Sequence, residues 1–290
     1  VLIPIKGAWC LVLGASSGIG KAIAEGLARE GVNVIGVHFD TGARAEKVAV
    51  LVEELRGHGV QAHFFNVNAA AEQTRADMTA RVAELTGGTG LHILVHSLAF
   101  GSLVPFLPRD GDPKGIGKRQ LAMTLDVMAH SLVYWVQDLV AADLLPPGSK
   151  VYAMTSSGTT QMLPSYGAVS AAKAALESHV RQLALELAPR RVAVNALRAG
   201  TTITPALERI PEHAEFVDEA ALSNPHGRLT TPEDVAEAVV LLSRTDSSWI
   251  TANTIGIDGG ELYAPGTVWG ARAAARPAAG SPDDSEEGTR

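Results

Sequence analysis

The chain has one cysteine, Cys10, in 290 residues, few aromatic side chains (5%), and no excess of positive charge, with 24 Lys and Arg against 31 Asp and Glu. A lone cysteine cannot close an internal disulfide, which points away from bridge-stapled secreted scaffolds and toward a reducing compartment. The net charge of −7, with no Lys/Arg cluster interleaved with aromatics, argues against a nucleic-acid partner. No apolar run reaches the roughly 18 residues that a membrane span needs. The nine histidines never take His-Glu-x-x-His spacing, so no metal site is expected. Val1 to Trp9 lack the basic-then-apolar layout of a signal peptide. The expectation is a cytoplasmic protein, although a chain opening on Val1 leaves room for an upstream targeting segment.

With 46% hydrophobic and 19% charged residues, a chain of this length can bury about three quarters of its unfolded surface in one core. Seven short β-branched runs stand out: Cys10 to Leu13, Val32 to Val37, Ala62 to Phe65, Leu91 to Val95, Lys150 to Met154, Val192 to Leu197 and Thr254 to Ile257. Stretches of helical periodicity separate most of them, among them Ala43 to Leu55, Arg119 to Ala142 and Tyr166 to Leu187. Alternation of this kind requires crossovers, and so predicts an α/β fold: a doubly wound (Rossmann) mainly parallel seven-stranded sheet with helices on both faces. Residues 1–264 are expected to form that single domain. From residue 265 to 290 Ala, Gly, Pro, Ser and acidic residues dominate, the composition of a disordered tail. The irregular stretch Gly101 to Lys118 follows a strand end, and in an open α/β sheet such a segment overhangs the ligand crevice.

The first of these strands runs into Gly14-Ala15-Ser16-Ser17-Gly18-Ile19-Gly20 and then into a helix from about Ile19 to Arg29. A tight strand-to-helix turn needs backbone freedom. A pyrophosphate needs backbone to approach with no Cβ between, and a helix N-terminus offers free N–H groups and partial positive charge. Ser16 and Ser17 add hydroxyls beside the phosphates. A glycine triplet alone can be a plain structural turn; the preceding strand, the following helix and the βαβ unit closing at Val37 make it a dinucleotide fingerprint.

The spacing of Gly14, Gly18 and Gly20, with Gly259 after the final strand, resembles the short-chain dehydrogenase/reductase superfamily over about Gly7 to Tyr263. Four segments are similar to its enoyl-acyl-carrier-protein reductases: His96 to Phe100, Leu125 to Ser131, Tyr166 to Lys173, and Arg198 to Thr201. Ordinary ketone-reducing members carry Asn-Asn-Ala-Gly after the fourth strand, an Asn in the next long helix, and a Tyr four residues before the Lys. Here His96 to Ala99, Asp126 and a Tyr166 seven residues before Lys173 stand instead.

The resemblance implies Tyr166 and Lys173 as the reacting pair, and helix geometry separates their roles. Seven residues span almost two turns, placing both side chains on one face about 10 Å apart along the axis, too far for direct contact in a regular helix. Lys173 then serves the cofactor ribose while Tyr166 reaches the substrate. Hydride delivered to the β-carbon of an enoyl thioester leaves charge on the carbonyl oxygen, and a Tyr166 hydrogen bond there stabilises charge where it develops. Many enoyl reductases have a second Tyr ten residues earlier; here that place holds Ser156, and either Ser156 or Ser157 could assist.

Matching positions imply further cofactor contacts: Asn66 and Val67 flanking the adenine, Ser97, Leu98 and Ala99 under the ribose and nicotinamide, and Gly200, Thr202 and Thr204 at the carboxamide and a phosphate. Turn capping competes as a reading of the two threonines. The second strand ends at His38, not at the carboxylate that favours the 2′-hydroxyl of NADH. Arg44 could meet a 2′-phosphate and Asp40 could take a ribose, so NADPH or NADH remains open, with a lean to NADPH.

Three residue groups have two readings each. His96 is either a core residue at a strand end or part of the floor below the nicotinamide. Met123, Val127, His130 and Tyr134 read as core or subunit interface before substrate box. Leu207, Ile210, Phe216, Val217 and Leu222 either line an apolar slot for an acyl chain or simply pack. The functional expectation is reduction of a 2-enoyl thioester, carried on acyl carrier protein, by a homotetramer. A 3-ketoacyl or other carbonyl reductase is the alternative, and a dinucleotide-binding protein without turnover the third reading.

Overall fold

The computed structural model describes residues 2–108, 114–211 and 213–264, without the side chains of residues 43, 44, 215 and 216. The composition break at residue 265 therefore lies outside the described residues, as does part of the 101–118 insertion. Seven strands form one sheet: β1 (Trp9–Leu13), β2 (Asn33–His38), β3 (Ala62–Asn66), β4 (Ile93–His96), β5 (Lys150–Ser156), β6 (Ala193–Ala199) and β7 (Thr254–Ile257). Their order is β3-β2-β1-β4-β5-β6-β7. All six pairings are parallel, with Leu13 opposite Val37 on one side and His96 on the other. The sheet is thus wholly rather than mainly parallel. β5 and β6 each run two residues past the sequence expectation, because Thr155 and Ser156 still pair with Arg198 and Ala199.

The helices are α1 (Gly18–Arg29), α2 (Ala43–Arg56), α3 (Glu72–Leu85), α4 (Lys118–Leu125), α5 (Ser131–Ala141), α6 (Gly167–Leu187), α7 (His213–Ser223) and α8 (Pro232–Ser243). Strand alternation decides which face each one covers. Trp9, Leu11 and Leu13 of β1 join Met78, Val82, Leu132, Trp135, Ala172 and Leu176 in a core beneath α3, α5 and α6. Cys10 and Val12 point the other way and pack with Ile23, Leu27, Leu51, Val235 and Val239 of α1, α2 and α8. α8 is started by a capping box in which Thr231 and Asp234 satisfy each other's backbone N–H, with Pro232 in its first turn.

The long helix expected from Arg119 to Ala142 is present as a continuous helical run from Lys118 to Ala141, but its period is interrupted. Between α4 and α5 a π-helical turn spans Asp126–His130, and Ser131 Oγ donates to Val127 O at 2.7 Å inside it. Such a turn inserts a residue and rotates the helix face that follows. Of the stripe Met123, Val127, His130 and Tyr134, which crosses this turn, Val127 packs against the core of α3, α5 and α6, and His130 Nδ1 lies 2.9 Å from His179 Nε2. Among the described residues no helix is long and apolar enough to cross a membrane.

Candidate active site

Because every strand is parallel, all carboxyl ends open on one edge, and the order reverses between β1 and β4. That switch point is where an α/β sheet leaves a crevice. A cleft of about 1220 Å³ lies there, lined by the turns after β1, β2, β3, β4, β5 and β6. Gly14, Ser16, Ser17, Gly18, Ile19, His38, Val67, Ser97, Leu98, Ala99, Ser156, Tyr166, Lys173, Gly200, Thr202 and Thr204 all line it.

Two expected contacts do not. Gly20 faces the turn instead of the cleft: a Cβ on it would come within 2.1 Å of Gly14 O, so its glycine serves helix-to-turn packing. Asn66 turns away and braces the neighbouring loop, accepting from Asp40 N at 2.9 Å and donating to Asp40 O at 2.8 Å. Asp126, which marked a departure from the ketone-reducing pattern, meets Tyr134 Oη and not the cleft. Of the proposed acyl slot, Leu207 and Ile210 line the cleft while Val217 and Leu222 do not, and the side chain of Phe216 lies outside the described residues, as does that of Arg44. Val127, read as core or interface, lines the cleft beside Met128.

The glycine-rich turn is closely packed and leaves the helix N-terminus behind it free for a dinucleotide phosphate. Gly14 has φ +90° and its backbone lies against Ser97, so that a Cβ would sit 2.4 Å from Ser97 O. Gly18, φ +53°, keeps open the gap to Thr204, where a Cβ would stand 3.2 Å from the threonine Cβ. Ser17 caps α1 without a side-chain hydrogen bond, and no acidic residue occupies the first turn. The free N–H groups of that turn are left for an anion. At the β2 end of the cleft His38 Nδ1 lies 3.0 Å from Asp40 Oδ2, both largely buried, so the loop presents an imidazole–carboxylate pair.

The other end is made of side chains held by three consecutive residues of β5. Met154 O accepts from Lys173 Nζ at 2.7 Å, Thr155 Oγ1 donates to Glu177 Oε1 at 2.8 Å, and Ser156 Oγ meets Tyr166 Oη at 3.3 Å. The serine ten residues before the tyrosine is thus the one that meets it. Ser157 begins a short 3-10 turn instead. Tyr166 sits just ahead of α6 at φ −94°, ψ 0°, its ring against Gly158, where a Cβ would fall 2.4 Å from Cε1. Burial pushes the phenol up from its ordinary value, opposed by the Ser156 bond, so it stays a proton donor at neutral pH. Burial brings Lys173 down to about 8, against the pull of the Glu177 carboxylate. Lysine and tyrosine take different partners, as their seven-residue spacing requires.

His96 resolves toward the core. It is fully buried, absent from the cleft lining, and its Nε2 lies 2.8 Å from Ser131 Oγ. That hydroxyl already donates to Val127 O, so Nε2 must carry the proton and Nδ1 is left bare and unpartnered. Desolvation, with the Lys173 charge nearby, brings the ring down to about 3, and it is neutral in use. Thr202 Oγ1 donates to Gly200 O and Thr204 Oγ1 accepts from Leu207 N; both cap turns and both still line the cleft. Sequence reasoning missed Glu261, whose carboxylate receives Thr201 N and Oγ1 at 2.7–3.1 Å across 60 residues of chain, a pairing with no local signal. It also missed Glu177, which did carry a signal: an acid one helical turn past the lysine.

A family model described as Enoyl-(Acyl carrier protein) reductase matches residues 14–261. An NADPH-dependent aldehyde reductase-like chloroplastic protein of Arabidopsis thaliana is 29% identical over 266 residues, 89% of this chain and 95% of that protein. The 1-cyclohexenylcarbonyl-CoA reductase of Streptomyces collinus is 30% identical over 266 residues, 88% and 87% of the two chains. Among solved structures, the enoyl-[acyl-carrier-protein] reductase (NADH) of Aquifex aeolicus VF5 has TM-score 0.77 and 23% identity, covering 90% of this chain and 98% of its own, a likeness of fold.

Proposed function

The chain belongs to the short-chain dehydrogenase/reductase superfamily, through the family whose model spans residues 14–261, and from that premise we propose that this oxidoreductase reduces the carbon–carbon double bond of a 2-enoyl thioester. The observation that carries this reading is Tyr166. It stands two helical turns ahead of Lys173, leans on Ser156 at 3.3 Å, and does not share the lysine's partner. A donor set forward in this way reaches an oxygen removed from the carbon that takes hydride, which is the geometry of a conjugate reduction.

When bound, the dinucleotide supplies the hydride. Gly14 and Gly18 let the turn close on Ser97 and Thr204, and the first turn of α1 would give the dinucleotide's phosphates N–H donors. Lys173 commits one proton to Met154 O and keeps two for the cleft. Tyr166 donates to the thioester oxygen as charge gathers there, which at typical oxyanion-hole values is worth about 3–4 kcal/mol of barrier. Ser156 Oγ orients that phenol and also accepts from Gly158 N at 3.2 Å. Leu207 and Ile210 offer apolar wall to the acyl chain. We read the dinucleotide as NADPH on the imidazole at 38, against the pull of Asp40 toward NADH. We read the acyl carrier as acyl carrier protein, the enzyme as a homotetramer, and its setting as cytoplasmic.

The test is oxidation of NADPH and of NADH with crotonyl and acetoacetyl thioesters side by side. Turnover with the crotonyl substrate is expected. Consumption with the ketone alone would move the reading to a carbonyl reductase, which the Ser156–Tyr166 hydrogen bond also suits, and no consumption with either would leave a dinucleotide-binding protein without turnover.

A further inference from the structure

Lys173 sits in an unusual position for an ammonium group. It is 5% exposed, lies at the floor of the cleft, and has one hydrogen bond, to a neutral carbonyl. An isolated charge in such a place tends to shed its proton. The titratable groups around it are His96 of β4, Tyr166 at the head of α6, and Glu177 one turn further along α6. The histidine is neutral, and the phenol is protonated. Among the described residues, the carboxylate that opposes the burial of Lys173 is that of Glu177.

The amine is bonded to Met154 O and the Glu177 carboxylate to Thr155, so the carboxylate acts across one turn of helix and is held from the strand. Thr155, itself 5% exposed, donates its hydroxyl to Glu177 Oε1 at 2.8 Å from the strand residue next to the one whose carbonyl holds Lys173. A free glutamate side chain on a half-exposed helix face would swing into water, where its field is screened. Clamped to β5, it stays over the sheet end.

We propose that Glu177 is a positioning residue for Lys173: Thr155 fixes its carboxylate over the end of β5, and that fixed negative charge keeps the buried amine in its ammonium form. The inference needs only that Lys173 serves the cleft, not which double bond is reduced. Burial brings the lysine down to about 8 even with Glu177 opposing it. Without the carboxylate the amine loses its proton at a lower pH still, and this end of the cleft loses the Lys173 charge within the physiological range.

The substitution Glu177→Gln removes the charge and keeps an acceptor for Thr155. The readout is NMR titration of the lysine Cε and Nζ signals in the ligand-free protein, with the Lys173 signal assigned by its loss in Lys173→Arg. A midpoint lower by about one pH unit, roughly tenfold in proton affinity, is expected. In parallel, NADPH and NADH binding by fluorescence should weaken at least fivefold at pH 8.5 and less than twofold at pH 6.5, a split that a merely structural role would not give. Thr155→Val, which frees the carboxylate without neutralising it, should move the midpoint the same way by less, and carries the test if Glu177→Gln fails to fold. An unmoved Lys173 midpoint in the folded variant overturns the proposal, as does an equal loss of binding at both pH values. Failure of thioester reduction with a shifted midpoint would strike the proposed function and leave this inference standing.

Discussion

The two ends of the cleft are built from different materials. The end beneath β1 is backbone and glycine: Gly14, Gly18 and Gly20 matter for the Cβ atoms they lack, and each would collide with or crowd something if it had one. The end beyond β5 is side chain: Lys173, Glu177 and Tyr166 matter for the polar atoms they carry, and three successive strand residues hold them. The first end is defined by shape and fails when atoms are added. The second is defined by charge and hydrogen bonding and fails when atoms are removed.

The largest effect should come from adding one carbon at the first end. Alanine in place of a helical glycine ordinarily stabilises by about 1 kcal/mol. Gly20→Ala should do the reverse and cost about 4 kcal/mol, because its Cβ would press on Gly14 O, backbone that cannot yield without opening the turn. Urea denaturation measures it, and a raised midpoint would break the comparison.

Removing one oxygen at the second end comes next. Tyr166→Phe should lower kcat/KM for the enoyl thioester by about 100- to 1000-fold. The protein should unfold at the wild-type midpoint, since the Ser156 contact it loses is a long one at 3.3 Å. Dinucleotide affinity should stay within twofold. Full activity in this variant would remove tyrosine from the chemistry.

The smallest effect sharpens the boundary between the two ends. Asp40→Asn takes a charge from the adenosine side while leaving an acceptor for His38. The ratio of kcat/KM for NADPH over NADH should rise by up to about tenfold, with the rate on the better dinucleotide unchanged. A change in that rate would mean the ends are coupled through more than the ligand.

The fold was largely legible in the sequence because its signals are local and repeated. A β-branched run followed by a helical period announces a crossover wherever it occurs, and strand alternation sends Leu11 and Val12 to opposite cores. The glycine turn was legible for the same reason. The role expected of Gly20 at the phosphates was not, since the same residue type answers to a pyrophosphate and to a close backbone carbonyl, here Gly14 O. The π-helical turn at Asp126–His130 escaped periodicity because it is a fault in the period, and with it went the place of Val127 on the cleft wall, in addition to its packing on the core. His38–Asp40 lay two residues apart and was readable as a pair of candidates but not as partners. Glu261 on Thr201 depends on where β6 and β7 end in space, which no window of sequence contains.

The close fit of Gly14 against Ser97 has one more consequence. Gly14 N takes Val37 O, Ser97 N takes Leu13 O, and the turn after β1 rests on the start of the segment after β4. On the proposed reading, the phosphate cradle and the floor under the reacting ring are therefore one gauge, whose length is set by the sheet and not by the ligand. Such a gauge accepts any dinucleotide of the right span, leaving selection between its phosphorylated and unphosphorylated forms to residues at the rim. Inheritance can then exchange the electron donor at β2 while the distance over which the electrons travel stays fixed.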